Sequence, residues 1–142
     1  MSRLSDNTPP AEAVTTRTAH IWLGADGIIR VKPHARLHES LEDAIENVAA
    51  VDKVALGVRR PVLIDLTLAG PQSAECRAHY MLAESNRYTK ALAYVTRSLL
   101  ARVVANFILG SNRNIVPMRL FENEAAAVAW LLAEQPSVIP PG

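Results

Sequence analysis

The polar residues that end apolar segments are where this sequence is best able to place chemistry. Asp65 follows the apolar run 62–64 and precedes a short loop that contains Gly70 and Pro71. A buried carboxylate is costly unless it is paired or hydrogen-bonded. As a functional group, Asp65 would belong to an anion, metal or base site. As a structural group, it would accept backbone N–H bonds from the next loop. We favour this second interpretation because no second acid lies nearby in the sequence.

Hydroxyl groups and one arginine follow two apolar segments that we expect to form neighbouring strands. Ser73 is placed to cap a helix, which is worth about 1 kcal/mol; the alternative is a phosphorylation site at the positive helix end. The cluster predicts weak anion or ligand binding at two helix N-termini, with ordinary capping and turn chemistry as the alternative. The residues of this candidate ligand- or anion-binding set are Asp65, Thr67, Ser73, Thr96, Arg97 and Ser98.

The sequence predicts no catalytic residue, metal site or cofactor. Cys76 is the single cysteine and falls on the core side of a predicted helix, which favours a buried, inert thiol over a nucleophile. The four histidines lack the spacing of metal ligands. No nucleophile lies beside a candidate base, so an enzyme is the weakest of the hypotheses.

Length and composition indicate one globular domain. The chain has 142 residues, about half of them apolar, and a formal net charge of +1. This charge suggests neither nucleic acid nor an anionic membrane as a partner. The absence of a possible internal disulfide and of an apolar leader segment favours the cytoplasm.

Local signals predict a β-hairpin followed by a capped helix. Apolar residues alternate over 19–23, Asp26-Gly27 supplies the turn, and a second strand follows over 28–31. Ser40 and Asp43 have the spacing of a capping box, and Gly57 is a plausible helix stop.

Strands and helices then alternate to the end of the chain. The predicted order is β-β-α-β-α-β-α-β-α, an α/β fold with a five-stranded mixed sheet and four helices. We assign 1–16 to a flexible tail, 17–135 to the single domain and 136–142 to a second tail. The later predicted elements are a strand over 61–66, a helix from Ser73 to about Asn86, a strand over 91–95, a helix from Thr96 or Ser98 to about Leu109, an edge strand over 116–121, and a helix capped by Asn123.

The predicted third helix is apolar on more than one face. Such a helix is either deeply buried or packed on a partner. We therefore predict a homodimer with an interface that contains Leu100, Val103, Val104, Phe107 and Ile108.

The order of these segments resembles the SpoIIAA-like (STAS-type) fold of anti-sigma-factor antagonists. It resembles more closely a group of small bacterial STAS/SEC14-like proteins of uncharacterised function. Each segment is modest by itself, and their order is the specific part. The segments that carry the resemblance are 26–31 (DGIIRV), 61–66 (PVLIDL), 73–77 (SAECR), 105–107 (ANF), 117–121 (PMRLF) and 129–131 (AWL).

The resemblance implies a non-enzymatic interaction or regulatory module with an unidentified protein partner. The antagonists are switched by phosphorylation of a Ser or Thr in an Asp-Ser-x-Gly-like turn, which would fall here at 70–75. That stretch reads GPQSAE, so Ser73 is present but the acidic residue and the following glycine are missing. The alternative is a small-ligand binder with a SEC14-like apolar pocket between helices and sheet, lined by Tyr80, Tyr94 and Phe107.

Overall fold

The computed structural model describes residues 7–98 and 116–133. In these residues three α-helices pack on a six-stranded sheet. The strands are β1 (Val14–Thr15), β2 (Ala19–Leu23), β3 (Ile29–Pro33), β4 (Arg60–Asp65), β5 (Thr89–Val95) and β6 (Met118–Phe121). The helices are α1 (Leu41–Ala55), α2 (Ala74–Tyr80) and α3 (Glu124–Leu132), with a 3-10 turn at Glu84–Asn86.

The strands lie in the sheet in the same order as in the chain. β1, β2 and β3 pair antiparallel, whereas β3, β4, β5 and β6 pair parallel. The mixed sheet is confirmed, but its predicted count of five strands is wrong. β1 is the additional strand, formed by Val14 and Thr15 within the segment assigned to the tail. A strand of two residues has no alternation long enough to be read from sequence.

The β2–β3 hairpin forms at the predicted turn. Asp26 Oδ1 accepts the backbone N–H of Ile28 at 3.1 Å, and Gly27 has a φ of +83°, which glycine adopts without strain. The buried Arg30 side chain donates to both Asp26 oxygens, at 2.9 and 3.0 Å. One aspartate in the turn is therefore bonded to two residues of the segment that follows it.

Helix α1 begins as its capping box predicts. The Ser40 side chain accepts the N–H of Asp43, and the Asp43 carboxylate accepts the N–H of Ser40. The helix ends at Ala55, where Leu56 (φ +57°) and Gly57 (φ +74°) both adopt left-handed conformations.

Helix α2 is shorter than the predicted span from Ser73 to about Asn86. It ends at Tyr80, and the chain continues through the separate 3-10 turn. The Asn86 amide donates to the carbonyl oxygens of Tyr80 and Leu82, both at 2.8 Å. These bonds satisfy carbonyl groups at the helix end, so the helix stops without leaving them unpaired.

Two apolar layers cover the sheet. On one face, α1 packs on a cluster that includes Ile21, Ile29, Val62 and Leu92. On the other face, α3 packs on Leu63, Ala91, Ala93 and Phe121. None of the helices within the described ranges is long and apolar enough to cross a membrane.

Three predictions fall outside or at the border of the described residues. The predicted third helix lies almost entirely in 99–115, and so do its five interface residues, Leu100, Val103, Val104, Phe107 and Ile108. The homodimer therefore stays a prediction. Among the described strands, β6 is the last in the order of the sheet, which agrees with the predicted edge position.

Candidate functional site

A cavity of about 470 Å³ lies between the sheet and the helices α1 and α2. Its sheet side is apolar and comes from the three central parallel strands, through Val31, Val62, Ile64, Leu92 and Tyr94. Val48 and Val51 of α1 and Tyr80 and Met81 at the end of α2 line the helical side. Tyr80 and Tyr94 are thus two of the three residues predicted to line an apolar pocket; the third, Phe107, lies outside the described residues.

Polar side chains converge on Glu39 in the same cavity. One oxygen, Oε2, accepts the Thr18 hydroxyl at 2.6 Å and the Asn47 amide at 2.9 Å. The other oxygen, Oε1, accepts the Gln72 amide at 3.0 Å. The Tyr80 hydroxyl lies between the two oxygens, at 3.2 and 3.3 Å. We call Thr18, Glu39, Asn47, Gln72 and Tyr80 the Glu39 cluster.

Backbone pairing holds Glu39 in position. Its N–H donates to the carbonyl of Pro71 at 2.9 Å, and its own carbonyl accepts the N–H of Ser73 at 3.0 Å. This short parallel bridge joins the segment entering α1 to the segment entering α2. The Glu39 side chain is consequently fixed where both helices begin.

Neutral groups of the described residues donate the hydrogen bonds to the Glu39 carboxylate. Within the described ranges, the ion pairs are formed by Arg17 with Asp43, Arg30 with Asp26 and Glu124, and Arg87 with Asp52, so Glu39 is in none of them. Arg77 also lines the cavity, but its side chain is exposed and donates to the Gln72 carbonyl at 2.6 Å. The cluster therefore contains a carboxylate and no cation.

Burial raises the pKa of two side chains beside Glu39, Tyr80 and Cys76, so both stay protonated at neutral pH. Desolvation raises the pKa of Tyr80 far above its usual value, and the Glu39 charge adds to the effect despite an opposing hydrogen bond from Asn47. Desolvation, followed by the charges of Glu39 and Asp43, raises the pKa of Cys76 to about 11. At neutral pH the phenol is a hydrogen-bond donor, and the thiol is not a ready nucleophile.

Asp65 makes the type of contacts that a structural carboxylate requires. Its Oδ1 accepts the backbone N–H of Thr67 at 2.9 Å, and its Oδ2 accepts the Asn7 amide at 2.7 Å. Burial by itself would raise the pKa of Asp65, but the hydrogen bonds of Thr67 and Asn7 outweigh it and the pKa is lowered. Asp65 thus orders the loop after β4 and ties it to the N-terminal segment.

The other members of the candidate anion set are placed in two groups. Because β4 pairs with β5, Thr67 and Thr96 follow neighbouring strands, as predicted. The Thr96 hydroxyl accepts the N–H of Ser98 at 3.3 Å, and Arg97 is exposed. Ser73 instead caps α2, accepting the N–H of Cys76 at 3.0 Å, and its backbone contacts Glu39. Anion binding and phosphorylation of Ser73 stay predictions.

The Glu39 cluster was not predicted from the sequence. One signal was available: Asn47 lies three residues after Ala44, on the apolar stripe of α1, and it is buried. A polar side chain at such a position needs buried partners. Glu39 itself lies in the segment that connects β3 and α1, where an acidic residue is common and does not indicate a buried site.

Metal binding finds no support in the part of the chain that the structure describes. There, no group of three or more His, Cys, Asp or Glu side chains is arranged to hold a metal ion. The cavity is therefore the feature with the clearest capacity for function: an apolar chamber with one hydrogen-bonded carboxylate.

Comparison with solved structures confirms the SpoIIAA-like fold. An uncharacterised protein of the DUF3478 family from Shewanella loihica PV-4, described as having that fold, aligns with a TM-score of 0.57 and 18% identity, over 83% of this chain and 98% of its own. A protein of unknown function from Arthrobacter sp. FB24 is 27% identical over 84% of this chain and 96% of its own, with a TM-score of 0.32.

Comparison with protein-family models shows the family of the chain. No curated protein matches the chain. The model of a domain of unknown function, DUF7793, matches residues 21–134, from the second strand of the sheet to just beyond helix α3. The match spans most of the chain, and the protein therefore belongs to the DUF7793 family.

Proposed function

We propose that this domain binds a small, mostly apolar molecule in the cavity between α1, α2 and the sheet. The cavity volume of about 470 Å³ is the observation that carries the proposal. Ligand sites commonly measure roughly 300–1,000 Å³ and combine apolar walls with a few placed polar groups.

The composition of the cavity supports binding rather than catalysis. Its walls are mostly apolar, and five of its polar side chains are hydrogen-bonded to one another in the Glu39 cluster. A tightly packed layer at this place would have favoured a pure interaction module. The regulatory role with an unidentified protein partner stays a prediction, and so does the homodimer, whose predicted interface lies outside the described residues.

Titration with the neutral dye Nile red, followed by fluorescence, tests the proposal. We expect saturable binding with a stoichiometry of one dye per chain. Val51→Trp places an indole in the cavity and should weaken binding tenfold or more. Ile45→Trp is the matched control, because Ile45 lies on the same helix but is 49% exposed and does not line the cavity.

Thermal melts establish that both variants are folded before they are compared. Equal dye affinity in the two variants would place the dye elsewhere on the surface. Absence of saturable binding by the parent protein would remove the proposed function.

A further inference from the structure

We infer that the ligand carries a cationic nitrogen that lies against the Glu39 carboxylate, an inference that rests on the proposed function of the cavity. The Glu39 cluster would be the polar end of the site and the aliphatic walls its apolar part. The chemical class is an amphipathic amine: one ammonium group attached to a compact hydrocarbon body.

The first argument is charge. A carboxylate withdrawn from water is usually matched by a cation or a metal ion. Glu39 is partly buried and its donors, Thr18, Asn47, Gln72 and Tyr80, are all neutral. These donors orient both oxygens, but among residues 7–98 and 116–133 no cation forms an ion pair with Glu39, and the charge of Arg17 acts on it only from a longer distance.

The second argument is the position of the nearest cations. Arg17 is committed to Asp43, with its Nε and Nη2 donating to the two carboxylate oxygens at 2.7 and 2.6 Å. Arg77 is at the cavity, but its guanidinium donates to a backbone carbonyl. Neither forms an ion pair with Glu39, so a ligand cation would not have to displace one.

The third argument is hydrogen-bonding capacity. A carboxylate offers about four acceptor positions. Oε2 accepts from both Thr18 and Asn47, whereas Oε1 accepts from Gln72 and shares the Tyr80 hydroxyl with Oε2. The Cys76 sulfur is 4.0 Å from Oε1 and is a weak donor. Thr18, Asn47, Gln72 and Tyr80 fill these positions, so an ammonium would bind Oε1 in place of the Tyr80 hydroxyl, whose contacts of 3.2 and 3.3 Å are the longest among the four donors.

Displacement of Nile red by three ligands with the same chain tests this inference: octylamine, octanol and octanoate. We expect octylamine to bind at least tenfold more tightly than octanol, which is 1.4 kcal/mol. Octanoate should bind more weakly than octanol because its charge is repelled by Glu39. The protein has a net charge of +1, so non-specific attraction would favour the opposite order.

Glu39→Gln should abolish the preference for octylamine while octanol still binds. Glu75→Gln is the matched control, since Glu75 is exposed on α2 and does not line the cavity. The ranking of the three ligands on the unmodified protein tests the inference even where Glu39→Gln fails to fold.

Two failures are distinguishable. If octanol and octylamine displace the dye equally well, the inference about the cation is wrong and the proposed cavity function stands. If the dye itself shows no saturable binding, the proposed function is wrong and the inference falls with it.

Discussion

Replacement of Asn47 by leucine should destabilise the layer formed by α1, α2 and the sheet. Asn47 is 4% exposed. Its amide nitrogen lies 2.9 Å from Glu39 Oε2, from the Thr18 hydroxyl and from the Tyr80 hydroxyl. Its carbonyl accepts the Thr16 hydroxyl at 2.5 Å. Leucine approximately fills the same volume but makes none of these bonds.

The expected loss follows from the two strongest contacts. A hydrogen bond to a charged group contributes about 1.5–3 kcal/mol, and a neutral one about 0.5–1.5 kcal/mol. The bonds of Asn47 to Glu39 and from Thr16 therefore suggest a loss of about 3 kcal/mol in the free energy of unfolding. For a chain of this length, roughly 4 °C per kcal/mol predicts a fall in Tm of roughly 12 °C.

Urea unfolding followed by circular dichroism measures this change, with the m-value checked for two-state behaviour. Lys53→Leu is the control, because it makes a polar-to-leucine change at an exposed position of the same helix. A loss below about 1 kcal/mol, the contribution of one ordinary hydrogen bond, would show that the cluster does not hold the layer together.

Three further predictions concern Asp43, Asp65 and Cys76. Hydrogen bonds from Arg17 hold the pKa of Asp43 well below the unfolded value of about 3.9. The ionised Asp43 therefore stabilises the folded state above about pH 4, and this contribution is lost as the pH falls through the folded pKa. Asp43→Asn should flatten the acid limb of a plot of urea midpoint against pH, and an unchanged limb would contradict this. Asp65→Asn should lower the free energy of unfolding by about 1–3 kcal/mol, because the acceptor of the Thr67 N–H changes from a carboxylate to a neutral amide. An unchanged or raised Tm would contradict the structural role. Cys76 is fully buried with a pKa of about 11, so Ellman's reagent should react with it only after denaturant is added. Rapid labelling of the folded protein would show that the thiol is accessible.

The parts of the fold that the sequence predicted well are those with local causes. Asp26 and Gly27 define the hairpin turn, and Ser40 and Asp43 define the start of α1, within four residues in each case. The predicted end of α2 was wrong because the observed end depends on the Asn86 side chain. Its amide donates hydrogen bonds to the carbonyls four and six residues earlier. Helical periodicity does not register such a contact.

The site was less predictable for a different reason. Tyr80 and Tyr94 were recognised as candidate pocket residues, but an unfilled volume between layers leaves no pattern in the sequence. The donors to Glu39 come from four separate parts of the chain, and Tyr80 is 41 residues away from it. Only the folded arrangement brings a loop carboxylate into contact with the residue before β2, with α1, with the loop before α2, and with α2 itself.

Methyl NMR of the labelled protein during titration with octanol tests whether the cavity binds an apolar ligand, because both layers of the sheet are reported in one spectrum. We predict saturable shifts at methyl groups that line the cavity, namely those of Val48, Val51, Val62, Ile64 and Leu92. The methyl groups of the α3 layer should stay unchanged, namely those of Leu63, Val95, Val128 and Leu131. Shifts centred on the α3 layer, or no saturable shift in either layer, would contradict a binding cavity beneath α1 and α2.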